Sequence, residues 1–341
     1  MPGTDPDEAL AVVLGELPNL PFLPELPARG PGADLVGRTA ALLVDLPVET
    51  TAGGWRLAER RGRDLGRATG MLEADLDALE ATAGGYAGAF KIQLCGPWTL
   101  AASLTLTHSV EPALSDPGAV ADLAASLAEG AAAHAADVRR RVPGAALVVQ
   151  FDEPALPGVL AGSVPTASGL RRVHAVDEPA AIDRLRPVLA AALAPAMVHC
   201  CAPDVPWRLI ASAGASAVSF DVALVRRPDE DAIGEIAEAG VGLAAGAVPS
   251  LADGARTAGS GRPASDVAVP GAGQRDAQET AATVIALWQR IGLRPSSLTE
   301  QVVITPACGL AGASPARARA VLAQCQEAAR LIPEMIEEGV R

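Results

Sequence analysis

Pro195-Ala-Met-Val-His-Cys-Cys201 is a short apolar run that closes on a histidine and two cysteines. It reads as a strand, and on an extended chain alternate side chains share a face. His199 and Cys201 therefore point one way and Cys200 the other. An imidazole and a thiolate brought together like this make half of a tetrahedral zinc site. Two later strand-like runs end in further donors, Ala217-Val-Ser-Phe-Asp221 and Val302-Val-Ile-Thr-Pro-Ala-Cys308. In a parallel barrel such strand ends meet on one face. The expectation is a catalytic zinc held by His199, Cys201 and Cys308, with Asp221 a candidate fourth ligand. The plainer reading makes the cysteines small apolar fillers of a core, as free cysteines often are. Separate strands that each end in a donor weigh against it.

The rest of the chain repeats the alternation. Strand-like runs fall at Ala41–Leu46, Ala89–Leu94, Ala146–Pro154, Pro195–Cys201, Ala217–Asp221, Val241–Val248 and Val302–Cys308. Between them lie stretches with apolar residues at helical spacing: Leu57–Leu79, Pro117–Arg141, Pro179–Leu193, Trp207–Ala213, Asp229–Ala239 and Ala277–Ile291. A last helix is expected from Ser314 to Glu338, bent or broken near Pro333. Strands alternating with helices mean a parallel sheet with helical crossovers. The expected fold is α/β, a single-domain (β/α)8 TIM barrel over residues 1–341. Its first strand is missing or truncated, because the chain opens on a helix over Glu8–Gly15, capped by Asp5 or Asp7. Leu17–Pro27, with prolines at 18, 21, 24 and 27, reads as an extended surface segment. Residues 252–275, rich in Gly, Ala, Ser and Pro, read as a flexible loop within the barrel.

Composition excludes several classes. The formal net charge is −13, and Lys91 is the only lysine. A chain this acidic, with no basic stripe between aromatics, is not built for nucleic acid. No run approaches the roughly 20 unbroken apolar residues of a membrane span. The N-terminus lacks the basic start and apolar stretch of a secretory signal, so the expected location is cytoplasmic. Five scattered cysteines do not make a disulfide framework. Of these, Cys95 ends a strand where it would line the pocket, and Cys325 reads as helix packing. His108, His134 and His174 read as surface residues.

Five segments occur in order over about two thirds of the chain: Cys95-Gly-Pro-Trp-Thr-Leu100, Gln150-Phe-Asp-Glu-Pro-Ala-Leu156, His199-Cys-Cys201, Ser219-Phe-Asp221 and Pro306-Ala-Cys-Gly-Leu310. Together they resemble the catalytic barrel of the cobalamin-independent methionine synthase family and its shorter single-barrel relatives. The resemblance implies zinc at the barrel mouth, bound by His199 and Cys201 of H-x-C and by Cys308 of C-G-L. The family's acidic ligand is usually glutamate. Here Asp221 stands in its place, with its carboxylate one C–C bond, roughly 1.5 Å, nearer the backbone. Asp152, in the D-E-P segment, would bind the ammonium group of the substrate amino acid. The implied reaction is zinc-dependent transfer of a methyl group to the thiol of homocysteine, giving methionine. A methylated folate or a methyl-corrinoid would be the donor.

Three departures bear on that reading. The family's first strand ends in a G-S-x-P-G-T-like motif, of which Met1-Pro-Gly-Thr4 remains; the expectation is that Met1 is an internal methionine and the true start lies upstream. The tryptophan that stacks on folate has no counterpart, since Ser103 lies near that position and Trp98 sits inside the motif. The family's Asp-x-His proton donor after the seventh strand is replaced by Gly242-Leu-Ala-Ala-Gly-Ala-Val-Pro249, which has no titratable group. No catalytic acid or base is therefore assigned. Two alternatives remain: a uroporphyrinogen decarboxylase-like barrel, which has no use for the H-x-C and C-G-L set, and a non-catalytic zinc- or thiol-binding protein.

Overall fold

Apolar runs of strand length, each followed by a longer amphipathic segment, fold into a parallel sheet covered by helices. A computed structural model describes residues 1–251 and 272–339 of the chain. Residues 252–271, most of the loop expected over 252–275, lie outside the described residues. In chain order the elements begin with α1 (Pro6–Glu16), capped by the Asp5 carboxylate, which accepts from the Asp7 and Glu8 N–H groups. Then come α2 (Leu35–Ala40), an antiparallel hairpin of β1 (Val48–Thr51) and β2 (Gly54–Leu57), and α3 (Arg63–Ala83). The sheet proper starts with β3 (Gly88–Cys95), followed by α4 (Pro97–Ser103), α5 (Pro117–Arg141) and β4 (Ala145–Asp152). Next are α6 (Leu156–Leu160), α7 (Glu178–Ala191), β5 (Ala196–Cys200), α8 (Trp207–Ser212) and β6 (Ala217–Asp221). The chain continues through α9 (Arg227–Glu238), β7 (Gly242–Val248), α10 (Ala272–Ile291), α11 (Pro295–Gln301), β8 (Val302–Pro306) and α12 (Pro315–Gly339). No helix among the described residues is long and apolar enough to cross a membrane.

Strands β3 to β8 pair in sequence order, all parallel. Strand parity decides which side chains meet. Phe90, Ile92 and Leu94 of β3, Val149 and Phe151 of β4, Val198 and Cys200 of β5, and Val218 and Phe220 of β6 are buried on the helix-covered face. Trp207 of α8 packs edge-on against Phe220 there, with ring centroids 4.9 Å apart. The opposite parity sends Lys91, Gln93, Gln150, Asp152, His199 and Ser219 to the inner face. The register sets Cys95, Asp152, His199 and Ser219 side by side across four strands.

The N-terminal third differs from its sequence reading. Ala41–Leu46 is not a strand. Asp34 caps α2 by accepting from the Gly37 N–H, the helix carries the chain through Ala40, and Asp45 turns it at φ +55°. Among the described residues the parallel sheet therefore holds six strands, not seven. Leu57 ends β2, and the helix expected from it starts instead at Arg63, after Gly62. Nor is Leu17–Pro27 a surface segment throughout, since Leu23 and Leu26 are buried. The Leu23 N–H donates to the Lys91 carbonyl at 2.9 Å, and the Lys91 N–H donates to the Pro21 carbonyl at 2.8 Å. This single parallel bridge at Phe22 covers the outer edge of β3. Prolines at 21 and 24 supply no N–H to extend it. His134, expected on the surface, is only 3% exposed, because it lies on the face of α5 that packs inward with Ala131, Ala135 and Val138. At the other end α12 continues past the exposed Pro333 to Gly339. Asp75 of α3 is buried and ion-paired to Arg38 of α2 and to Arg29, which ties the N-terminal helices together.

Candidate metal centre

Strand β5 delivers His199 on its inner face and Cys201 just past its end; Cys308 follows β8 in the turn Ala307-Cys-Gly-Leu310. Donor atoms of these three residues all lie within 4.8 Å of one another. The two sulfurs stand 3.7 Å apart, far beyond a disulfide bond, and both cysteines are free. Two zinc–sulfur bonds of about 2.3 Å at a tetrahedral angle put sulfurs about 3.8 Å apart. The donor set therefore fits a zinc ion in chemistry and in spacing.

Neighbouring side chains hold the set. His199 Nδ1 is 2.8 Å from Ser219 Oγ, one strand over. That contact fixes the orientation of the ring, as partners of metal-binding imidazoles commonly do, and leaves Nε2 on the side away from Ser219. The Cys308 N–H donates to Ser250 Oγ at 2.9 Å, and the Ser250 hydroxyl donates back to the Cys308 carbonyl at 2.6 Å. That pair of bonds pins the turn on which Cys308 rides. The two thiols titrate as a unit. A hydrogen bond from Cys201, then one from His199, pulls Cys308 down, while the same thiol contact and burial push Cys201 up.

Asp221 stands apart from this cluster. In strand register it is level with Cys201, since Phe220 pairs with Cys200. Its Oδ1 instead accepts from the Ala223 N–H at 2.9 Å, capping a short 3-10 turn over Val222–Leu224. Asp221 also lines a small cleft with Asp204, Trp207 and Asp229.

Asp152 ends β4 beside His199, 8% exposed. Burial pushes its carboxyl up, while the nearby His199 and Lys91 pull it down. Its Oδ1 accepts from Gln150 Nε2 at 2.6 Å. Glu153, next in the chain, points the other way and is fully buried. Its carboxylate accepts from the Trp98 N–H, the Thr99 N–H and the Thr99 hydroxyl, at 2.9, 2.7 and 2.7 Å. It thus closes the N-terminus of α4 from a neighbouring strand, as a negative charge at a helix start should. Burial still lifts its pKa to about 7 against those donors.

Sequence reading missed Glu25. It lies in the proline-rich segment, and one of its carboxylate oxygens is buried without a hydrogen-bond partner. Burial raises its pKa to about 7, with Asp152 adding to the rise and Arg38 and Lys91 opposing it. No signal in the residue itself marks it; the bridge at Phe22 is what lays its segment against β3. Cys95 is fully buried, its thiol pushed up by burial and by Glu153, so although the register sets it beside Asp152 it does not line an open pocket. Trp98 is buried too, its indole N–H donating to the Ala181 carbonyl at 3.1 Å. His108 and His174 are exposed.

A parallel sheet whose strand ends gather an imidazole, two thiols and buried carboxylates has the architecture of an α/β enzyme with its site along the carboxyl edge. Residues 23–331 match the family model described as cobalamin-independent synthase, catalytic domain, and the chain belongs to that family. It is accordingly a methyltransferase-like enzyme of a zinc-binding family in methionine biosynthesis, whose family-level reaction is methyl transfer to homocysteine. Among solved structures the chain is similar to a B12-independent methionine synthase from Shewanella sp. W3-18-1 in complex with selenomethionine. The likeness is 15% identity over 77% of this chain and 67% of that chain, with a TM-score of 0.48. No curated protein matches the chain.

Proposed function

We propose that this chain transfers a methyl group to the thiol of homocysteine, at a zinc site made by His199, Cys201 and Cys308. The observation that carries the reading is the convergence of those three donors within 4.8 Å, beside the buried Asp152. A free thiol has a pKa of about 8.5 and is mostly protonated near neutral pH. Zinc, when bound, holds a substrate thiol as the thiolate. Asp221 lies outside the three clustered donors, with its Oδ1 turned to the Ala223 N–H, and the fourth position is assigned to that thiol. Asp152 binds the substrate ammonium, with the unpartnered Glu25 oxygen as a second acceptor. The donor of the methyl group is a methylated folate or a methyl-corrinoid.

The six strands and the bridge at Phe22 are read as most of one (β/α)8 barrel, a single domain over residues 1–341. Thiolate ligands need reducing surroundings, which suits the cytoplasm. A second reading, binding of the thiol amino acid without turnover, is favoured by the end of β7, where Val248-Pro249-Ser250 offers no proton to a leaving group.

The deciding experiment is metal analysis of the purified protein and of Cys308→Ala. About one zinc per chain, lost on substitution, is the expected result; a folded protein without stoichiometric metal would overturn the site. Methionine formation from homocysteine with methyltetrahydrofolate or methylcobalamin then separates catalysis from binding. Asp221→Ala should keep its zinc. Loss of metal there to the degree seen in Cys308→Ala would make the carboxylate a ligand after all.

A further inference from the structure

Lys91 is the one lysine in the chain, and strand parity sets it, half-buried, on the inner face of β3. Burial lowers its pKa, and Asp152 and Glu25 raise it. Its ammonium makes no ion pair with a carboxylate among the described residues. It donates to Gln150 Oε1 at 3.0 Å, stands 3.5 Å from Gln93 Oε1, and lies 5.3 Å from the centre of the Phe22 ring.

The contact with Gln150 acts on Asp152, two residues further along the strand. A glutamine amide has an accepting end and a donating end, and an ammonium only donates. Lys91 therefore forces Oε1 of Gln150 toward itself and turns the NH2 toward Asp152, where Nε2 donates to Oδ1 at 2.6 Å. A flipped amide would set two acceptors against each other at Asp152 and two donors at Lys91. The carboxylate is thus held by one oxygen, and no donor among the described residues reaches Oδ2. Gln150 also keeps the Lys91 charge one amide away from whatever cation Oδ2 receives.

We propose that Lys91 is a positioning residue that, through the Gln150 amide, aims Asp152 Oδ2 at the ammonium group of the substrate and so selects amino thiols over plain thiols. The proposal rests on the reading of Asp152 as the ammonium-binding group. Its test compares two ligands of the zinc-loaded protein by calorimetry: L-homocysteine, and 4-mercaptobutanoate, which has the same thiol and carboxylate but no ammonium. Lys91→Met should weaken homocysteine roughly tenfold, the scale of one hydrogen bond to a charged group. Binding of 4-mercaptobutanoate should stay within about twofold, because its thiol and carboxylate do not depend on Asp152. Gln150→Met, which leaves the lysine in its position, should reproduce the same selective loss and carries the test if Lys91→Met does not fold. Lys91→Arg, which also only donates, should restore part of the preference. Equal losses for both ligands would make Lys91 merely structural and overturn the proposal. A preference for homocysteine that survives both substitutions sinks the role of Lys91 alone. A wild-type protein that binds 4-mercaptobutanoate as well as homocysteine sinks the Asp152 reading and this one with it.

Discussion

The strand ends of β5 and β8 and those of β3 and β4 lie side by side, yet they are built on opposite principles. The first pair offers soft donors within reach of solvent: Cys308 is exposed, and Cys201 and His199 are half-buried. Two serines hold these donors, and the two thiols face each other at 3.7 Å. The second pair buries its charges. Asp152, Glu153 and Cys95 are each less than a tenth exposed, and Lys91 and Gln150 are tied into a chain of hydrogen bonds. One half is left open, as a site that takes a metal and a thiol must be. The other is fixed in advance, as a group that must orient one end of a substrate needs to be.

Removing charge from the fixed half should produce the largest effect on binding. In Asp152→Asn the substrate ammonium would face an amide in a buried site. Truncating one partner of a buried, hydrogen-bonded charge pair costs about 2–5 kcal/mol, so affinity for homocysteine should fall roughly 30-fold or more. Zinc content should stay at its wild-type value, since Asp152 is not among the three clustered donors. Equal affinity in the variant would mean that the two halves do not share a substrate. Loss of zinc together with affinity would erase the distinction between them.

A smaller effect should come from Gly96, where the two halves of the fixed region interlock. A Cβ at Gly96 would sit 2.4 Å from the Glu153 carboxylate. That carboxylate cannot swing aside freely, because it is fully buried and accepts three hydrogen bonds from Trp98 and Thr99. Gly96→Ala should therefore destabilise the fold by about 1–3 kcal/mol, the usual cost of overpacking. Chemical denaturation would measure this, and the purified folded variant should still carry its zinc. A fully stable variant would mean that Glu153 is looser than its bonds imply.

How much of this was legible in the sequence follows the same division. His199, Cys201 and Cys308 could be found because a histidine and thiols at strand ends are rare, and strand parity alone says which of them share a face. The strands from β3 onward were equally plain, as apolar runs followed by amphipathic helices. Charge, in contrast, carries no label for burial. Glu25 sits in a segment whose prolines argue for the surface, and the bridge at Phe22 is what lays that segment against β3. His134 lies among alanines and near three arginines, a pattern that reads as a solvated helix face; its burial comes from the packing of α5. Ala41–Leu46 has the composition of a strand, but the cap at Asp34 and the turn at Asp45 claim it first. Asp221 is legible as a strand-end carboxylate level with Cys201, whereas the contact of its Oδ1 with the Ala223 N–H belongs to a local turn that the sequence does not announce.

The finest test of the buried half is its response to acid. His134 has its pKa lowered from 6.5 to about 3, by burial first and then by the charge of Arg38, against an opposing pull from Asp137. Its folded pKa lies below its unfolded one, so the unfolded chain takes up the proton first as the pH drops. The stability tied to a neutral His134 is complete above pH 6.5 and is lost as the pH falls toward about 3. Glu25 and Glu153 run the opposite way. Raised from 4.5 to about 7, they contribute most below pH 4.5, and that contribution fades as the pH climbs through about 7. The wild-type curve between pH 4.5 and 6.5 therefore mixes both signs, and only a difference isolates the histidine. Unfolding free energies of wild type and His134→Leu should keep a constant gap above pH 6.5. Below it the gap should close against the wild type by up to about 1.4 kcal/mol per pH unit. Curves that stay parallel through that range would mean that His134 takes up its proton inside the fold at no cost, and that the helix-covered side of the sheet is as open to water as the strand ends of β5 and β8.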